Sequence, residues 1–392
     1  MISSPGRPRL LRELNNRAAL ELLGSKGPLT RARISESTGL SKVATGQILS
    51  RLEERGLVVK TGTQDGGRGP SAVVYGLNPS SAYVVGVEVG MGTTTAVLAD
   101  VTGRRLAKVS RATDAEVEPV AAIRSVLKDL TRASRVGLSR VSACVIGISA
   151  VVDPRTGDVR FCYDMPAWRA GVAGALRHDL GIPVALDNDV NLAAVAERVR
   201  GAARDTRSFA LVWIGRGPGS AIMLGDRLLR GAAGNAGEIG WMPVPGAPVA
   251  GGALDHDRCG VNAAFQSLVG RHAVLALAAA HGIAEGSVRD VVAAAAGIAE
   301  GGAFLDELAG RIALGVASIC AVLDPELVVL GGDAGTAGGR DLARRVQRAV
   351  SAMYLAEPCV VASEVPRDPV LQGAVHMAMR QARELVFSRG SD

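Results

Sequence analysis

The feature that most constrains this chain is a change of hydrophobic periodicity at residues 78–82. Before it, apolar residues recur at helical spacing in short runs; after it, strands rich in Val, Ile and Ala alternate with helical segments. The two patterns require different kinds of packing, and a length of 392 residues leaves room for two or three compact units. Charge divides at the same place. Residues 1–80 hold 12 Lys/Arg against 6 Asp/Glu, residues 81–392 hold 32 of each, and the whole excess of +6 therefore lies in the first fifth of the chain. That segment is suited to a polyanion, whereas the remainder is electrically balanced. A hydrophobic content of 48% with 49 glycines excludes collagen-like and disordered chains and fits an α/β protein with many tight turns. No apolar run reaches eighteen residues and the amino terminus lacks the apolar core of a signal peptide, so a cytoplasmic protein with no membrane contact is expected. The five cysteines, Cys144, Cys162, Cys259, Cys320 and Cys359, are odd in number and scattered, which suits reduced thiols.

Residues 15–24 read as a helix with Ala18, Ala19, Leu22 and Leu23 on one side, closed by Gly24, Gly27 and Pro28. Thr30 is a candidate N-cap for a second helix that stops at Gly39. Ser41 is one for a third, in which Leu40, Ala44, Ile48, Leu49 and Leu52 form the inward stripe. Two β-prone runs, LVVKTG and AVVYGLN, are separated by TQDGGRGPS and complete a winged helix-turn-helix over residues 1–78. Such a helix fits the DNA major groove, and its first turns bring short polar and basic side chains to base edges. Ser41, Lys42, Thr45, Gln47 and Arg51 are the candidate contacts of the third helix, and Arg68 among the wing glycines is the candidate for the minor groove. The competing reading is a solvated surface helix beside an ordinary polar hairpin. Gly46 within the third helix costs about 1 kcal/mol relative to Ala; it either serves close approach to DNA or is merely tolerated.

From residue 82 the segment YVVGVEVGMGTTTAVLAD reads as strand, glycine turn and strand, with Glu88 just before the turn. Further strands fall at 143–149, 183–187, 209–215, 220–225 and 326–332, with helices at 189–200, 262–281, 303–322, 339–353 and 369–387. This alternation predicts α/β lobes that bind ligands at strand ends. Three stretches hold polar groups of chemical use: GRGPGSA at 215–221, LDNDVNLAAVAE at 186–197 and GNAGEIGWM at 234–242. A carboxylate such as Asp189, at a strand-to-helix turn, accepts protons from hydroxyl groups. Asn188 and Asp189 equally fit the plainer role of capping the helix that follows.

These motifs, with YDMPAW at 163–168 and DRCGVNAAFQ at 257–266, resemble those of the ROK family of repressors and sugar kinases; GLSKVATG and GRGP in the front module resemble its repressor branch. The resemblance implies a winged helix-turn-helix followed by a two-lobed actin-like, ribonuclease-H-like sugar-kinase fold. The first lobe would span 82–187, the second 188–368, and a carboxy-terminal helix at 369–392 would return to the first. It also implies a homodimer or homotetramer and a hexose or amino-sugar site between the lobes. Sugar contacts carry over to Asp164, Asn188, Asp189, Glu238, Trp241 and Gln266. In the kinase branch Asp189 would be the catalytic base, with ATP and Mg as cofactors.

Several positions depart from the family pattern. Glu88 replaces Asp, Met91 adds bulk, and Arg216, Pro218 and Ser220 alter the second phosphate turn, where Pro218 has no N–H to offer. Trp241, Asp257 and Ala264 stand where zinc ligands are usual and leave Cys259 alone, so no zinc is expected. The expectation is a regulator without catalysis, a repressor that binds a double-stranded DNA operator and senses a sugar-like effector. The alternative is an ATP-dependent sugar kinase with an accessory DNA-binding domain. Contacts from Lys and Arg to phosphate release counterions, so DNA affinity of the full chain should fall about a hundredfold or more between roughly 50 and 200 mM salt. An affinity indifferent to salt in a filter-binding titration would remove the polyanion from the account.

Overall fold

A computed structural model describes residues 8–65, 71–114, 116–162, 164–244, 264–298, 301–353, 357–365 and 367–388. In chain order the front module contains α1 (Pro8–Lys26), β1 (Leu29–Thr30), α2 (Arg31–Thr38), α3 (Lys42–Glu54), β2 (Val58–Gln64) and β3 (Ala72–Leu77). Then follow β4 (Tyr83–Val89), β5 (Thr93–Asp100), β6 (Arg105–Ala112), α4 (Pro119–Ser134), β7 (Val141–Ile148), β8 (Val151–Val152), β9 (Val159–Phe161), α5 (Val172–Leu180), β10 (Val184–Asn188) and α6 (Asp189–Arg200). The remaining elements are β11 (Phe209–Ile214), β12 (Pro218–Leu224), β13 (Arg227–Leu229), α7 (Gln266–Val269), α8 (Arg271–Ala280), α9 (Val288–Ala295), α10 (Gly301–Leu323), β14 (Leu327–Gly331), α11 (Gly332–Ser351), β15 (Val360–Ala362) and α12 (Pro369–Ser388). They form two compact units. One comprises residues 1–146, 173–185 and 374–392, the other residues 147–172 and 186–373.

Within the first unit, local signals set the winged helix-turn-helix. The Thr30 hydroxyl accepts from the Arg33 N–H at 3.4 Å and starts α2, Gly39 ends it at φ 69°, and Ser41 accepts from the Ala44 N–H at 3.2 Å to start α3. Leu20, Leu23, Ile34, Ile48, Leu49, Leu52 and Val58 bury together, and β1, β3 and β2 form the wing sheet in that order. The structure moves Thr45 from the expected DNA face into the core. Thr45 lies at the i−3, i−4 and i−7 positions from Ile48, Leu49 and Leu52, and is fully buried, its hydroxyl donating to the Ser41 carbonyl at 3.0 Å. It therefore belongs to the core and cannot reach DNA.

The rest of the first unit is built on a five-stranded sheet of order β10-β7-β4-β5-β6, in which β4, β5 and β6 form an antiparallel meander. On α12 the Arg383 guanidinium donates to the Val101 carbonyl at 2.9 Å and lies against Gly24 of α1, which ties the front module to the carboxy-terminal helix. The second unit has a sheet of order β13-β12-β11-β14-β15, antiparallel through β13-β12-β11 and parallel through β11-β14-β15. Phe265, Phe304, Leu308, Ile312, Val316, Leu342 and Val346 pack beside its strands in one apolar core. The helix expected over 262–281 is interrupted at Gly270, whose extended backbone ends α7 and begins α8. Among the described residues no helix is long and apolar enough to cross a membrane.

Glu197, near the end of α6, is 1% exposed. Its carboxylate accepts the N–H groups of Ala202 at 2.8 Å, Val365 at 3.2 Å and Glu364 at 3.4 Å, and the Ser363 hydroxyl as well, so it fastens α6 to the segment after β15. Glu197→Ala strands these donors. It should lower unfolding stability by about 2–3 kcal/mol in urea titrations, as loss of hydrogen bonds to a charged group does, whereas Glu197→Gln should lose less. A variant as stable as the parent would show that water replaces the carboxylate at no cost.

Candidate functional site

Helix α3 starts at Lys42, so its first two turns project Lys42, Val43 and Gln47 outward, with Ser50 on the following turn. These side chains border a groove of about 650 Å³ lined by Arg31, Lys42, Val43, Gly46, Gln47, Ser50, Arg51 and Tyr75. Of the expected contacts, Lys42, Gln47 and Arg51 line it, while Ser41 is exposed beside it with its hydroxyl committed to the cap. Arg68 lies outside the described residues. Arg31, Ser50 and Tyr75 were not anticipated. Ser50 follows Gln47 by one helical turn and was legible from spacing, but Arg31 on α2 and Tyr75 on β3 reach the groove only through the tertiary fold.

In the second unit the polar residues gather where β10 becomes α6. Asp187 accepts from the Arg230 guanidinium at 2.6 Å, the Asn191 amide at 3.2 Å and the Asn188 N–H at 3.0 Å, which engages it fully. Asn188 is the N-cap of α6. Its oxygen accepts the Val190 and Asn191 N–H groups at 2.9 and 3.2 Å and its NH₂ donates to the Ala150 carbonyl at 3.2 Å. Asp189 differs. Burial pushes its carboxyl above the usual aspartate range, against the Val190 N–H, the Arg216 charge and the Ser149 hydroxyl, which favour the anion. Glu238 is raised too, by burial and then by the Asp189 charge.

Gly237 delivers Glu238 to this place. Its φ is +91° and a Cβ there would lie 1.9 Å from the Ser220 carbonyl, so only glycine closes the turn against β12. Arg216 leaves the β11–β12 turn to pair with Asp164 at 2.5 Å. That turn is an antiparallel hairpin in which Pro218 faces Ile214. The other glycine turn is also a hairpin. The Gly90 N–H donates to the Thr93 carbonyl at 3.0 Å, Glu88 stands opposite Thr95, and Met91 is exposed.

Gln266 fills a notch between three glycines. A Cβ on Gly217 or Gly240 would lie 3.2 or 3.5 Å from its oxygen, and one on Gly270 2.8 Å from its nitrogen. Trp241 ends a short 3₁₀ turn, Ile239–Trp241, and is 42% exposed. The second unit thus brings Asp164 to Arg216 and Asp189 to Glu238 and Arg216, spends Asn188 on the cap, and leaves the Trp241 ring facing solvent. Trp241 and Ala264 carry no metal-ligating atom, and Asp257 and Cys259 lie outside the described residues. Among the described residues no group of three or more His, Cys, Asp or Glu could hold a metal ion.

Residues 84–381 match the ROK family profile. The chain belongs to the ROK family. Ahead of the ROK domain, residues 15–69 match the MarR family. The DNA-binding transcriptional dual regulator NagC of Escherichia coli K12 is 26% identical over 243 residues, which are 61% of this chain and 59% of that protein. The chain therefore matches less than two thirds of that relative's length. The xylose repressor of Bacillus subtilis 168 is 26% identical over 60% of this chain and 61% of its own. Among solved structures, a ROK family transcriptional regulator described as a homologue of the Escherichia coli MLC protein superposes with a TM-score of 0.75 at 21% identity, covering 97% of this chain and all of that one. The ROK hexokinase of Thermus thermophilus superposes with a TM-score of 0.62 at 25% identity, over 77% of this chain and 99% of its own. The fold is a winged helix-turn-helix followed by a ROK sugar-kinase-like domain.

The raised carboxyl of Asp189 fixes the sign of its effect on stability. A folded acid that holds its proton more tightly than the unfolded one opposes folding when ionised, and the penalty disappears as pH falls toward the ordinary value of 3.8. Asp189→Asn, which keeps the oxygen acceptor and removes the charge, should therefore raise the unfolding midpoint at neutral pH. The gain should shrink on acidification. A midpoint lowered at neutral pH would show that the carboxylate is held by attraction rather than against it.

Proposed function

We propose that this ROK protein is a transcriptional repressor that grips a double-stranded DNA operator through α3 and the wing and changes that grip when a sugar-like effector occupies the second unit. The groove beside α3, with Arg31, Lys42, Gln47, Ser50 and Arg51 on its walls, offers cationic and hydrogen-bonding groups to phosphates and base edges. Asp189 and Glu238 offer acceptors to adjacent sugar hydroxyls, with Asp164 and Gln266 nearby as secondary contacts and Trp241 as a stacking face. Carboxylates that burial makes costly to ionise are suited to it, because hydroxyl donors relieve the cost on binding. Regulation then needs only that the effector bind one state of the protein better than another. A homodimer or homotetramer would place paired front modules on two operator half-sites.

The observation that carries the choice of sensor over kinase is the Arg216–Asp164 ion pair. In a phosphate-binding turn the backbone amides face the ligand, but here the turn sends its own cation to a carboxylate of the second unit and contributes a proline in place of an N–H donor. Phosphoryl transfer depends on positioning and charge stabilisation together, so a turn altered in this way supports a domain that works without ATP and Mg.

The test is release of a duplex selected on the full chain, titrated with xylose, N-acetylglucosamine and their phosphates, because the chain is similar to the xylose repressor and, at 26% identity over 61% of its length, to the N-acetylglucosamine repressor of Escherichia coli O6:H1. One of these sugars should shift DNA affinity at least about tenfold, within the usual range of allosteric coupling, and Asp189→Ala should abolish the shift while leaving DNA affinity intact. Phosphate transfer from Mg–ATP to any of the sugars, lost in Asp189→Asn, would overturn the sensor reading in favour of the kinase.

A further inference from the structure

Val43 is 72% exposed in the first turn of α3, an apolar side chain among outward-facing Lys42, Gln47 and Ser50. Positions 43, 46, 47 and 50 share one helix face, all four line the same groove, and Gly46 is the gap in the middle of that face. The protein itself gives no reason for the gap. A Cβ on Gly46 would meet only the Arg31 side chain, at 3.5 and 3.9 Å, which is ordinary contact, and Ala would favour the helix. A β-branched side chain held out to solvent and a glycine beside it, on a face edged by cations, both fit a duplex as occupant. The thymine methyl is the one apolar group on the major-groove edge of a base pair, and a helix without a side chain at its centre sits deeper in the groove.

We infer that Val43 reads the 5-methyl group of a thymine and that Gly46 is the space that lets α3 seat close enough for the contact. The inference deepens the DNA-binding reading and rests on it. Lys42 and Arg51 supply attraction that any sequence satisfies, so the pair Val43 and Gly46 contributes sequence preference where the basic residues contribute affinity.

The experiment starts with a random-sequence duplex pool selected on the full-length protein, after which each enriched thymine is replaced in turn by deoxyuridine, which lacks only the methyl. At one position in each half-site the replacement should weaken binding about four-fold, the effect of one buried methyl group. In Val43→Ala that difference should vanish while other positions keep theirs. Gly46→Ala should unfold at a higher temperature than the parent yet bind the selected duplex about tenfold more weakly, because the added methyl fills the seat. The inference is overturned if no enriched thymine responds to loss of its methyl, if Val43→Ala keeps the full response, or if Gly46→Ala binds as tightly as the parent. Failure of the protein to retain any duplex would instead remove the DNA-binding reading, and this inference with it.

Discussion

Three consecutive polar residues, Asp187, Asn188 and Asp189, lie where β10 turns into α6, and much of the second unit is arranged around the cost of putting them there. Asp187 is 7% exposed and Asn188 and Asp189 half-buried, so each needs a partner or incurs a desolvation penalty. Arg230 and Asn191 answer Asp187, and the first turn of α6 together with the Ala150 carbonyl answers Asn188. Asp189 receives partial compensation, with burial still the dominant influence on its proton. Two neighbours therefore serve structure while the third retains chemical capacity. The distinction comes from the partners each side chain meets, since the residue types alone are nearly interchangeable.

The two functional regions rest on opposite electrostatic designs. On α3 the useful side chains are exposed, capped into place by Ser41 and held by a core of Ile48, Leu49 and Leu52 beneath them, so their charges act through solvent and are screened by salt. In the second unit the carboxylates of Asp189 and Glu238 are withdrawn from water, which raises the proton affinity of both, and the Asp189 charge raises that of Glu238 further, so small changes in contact have large effects there. Helix α12 packs closely at two of its positions. A Cβ on its Gly373 would strike the Leu192 carbonyl of α6, the helix that Asp189 opens, while its Arg383 lies under Gly24 of α1.

Much of this is legible in the sequence. Thr30, Gly39 and Ser41 marked the limits of α2 and α3, because capping depends on residues three apart and needs no tertiary context. The strands at 183–187, 209–215 and 326–332 were legible from short apolar runs bounded by turn residues. Thr45 was misassigned because a threonine is short enough and polar enough to suit either face of a helix, and only the packing of Ile48, Leu49 and Leu52 decides which. Helix α4 escaped notice although Ile123, Val126, Leu127 and Leu130 keep helical spacing, all four buried on one stripe. The single helix expected over 262–281 is broken at Gly270, where the backbone is extended and a Cβ would strike the Gln266 carbonyl.

The sequence by itself determined the order of the parts, the location of positive charge, the caps of α2 and α3 and the motifs that place the chain in its family. These are local properties, set by residues within a few positions of one another or by simple counts. What only the tertiary structure decided was pairing between distant residues: Arg216 with Asp164, Arg230 with Asp187, Glu197 with the strand end at Ser363, and Arg31 and Tyr75 beside α3. A charged residue in a sequence carries no mark of its counter-ion, because the energy of the pair depends on distance and burial in space. Which carboxylate is engaged by partners and which keeps a desolvation cost was therefore decided by the fold.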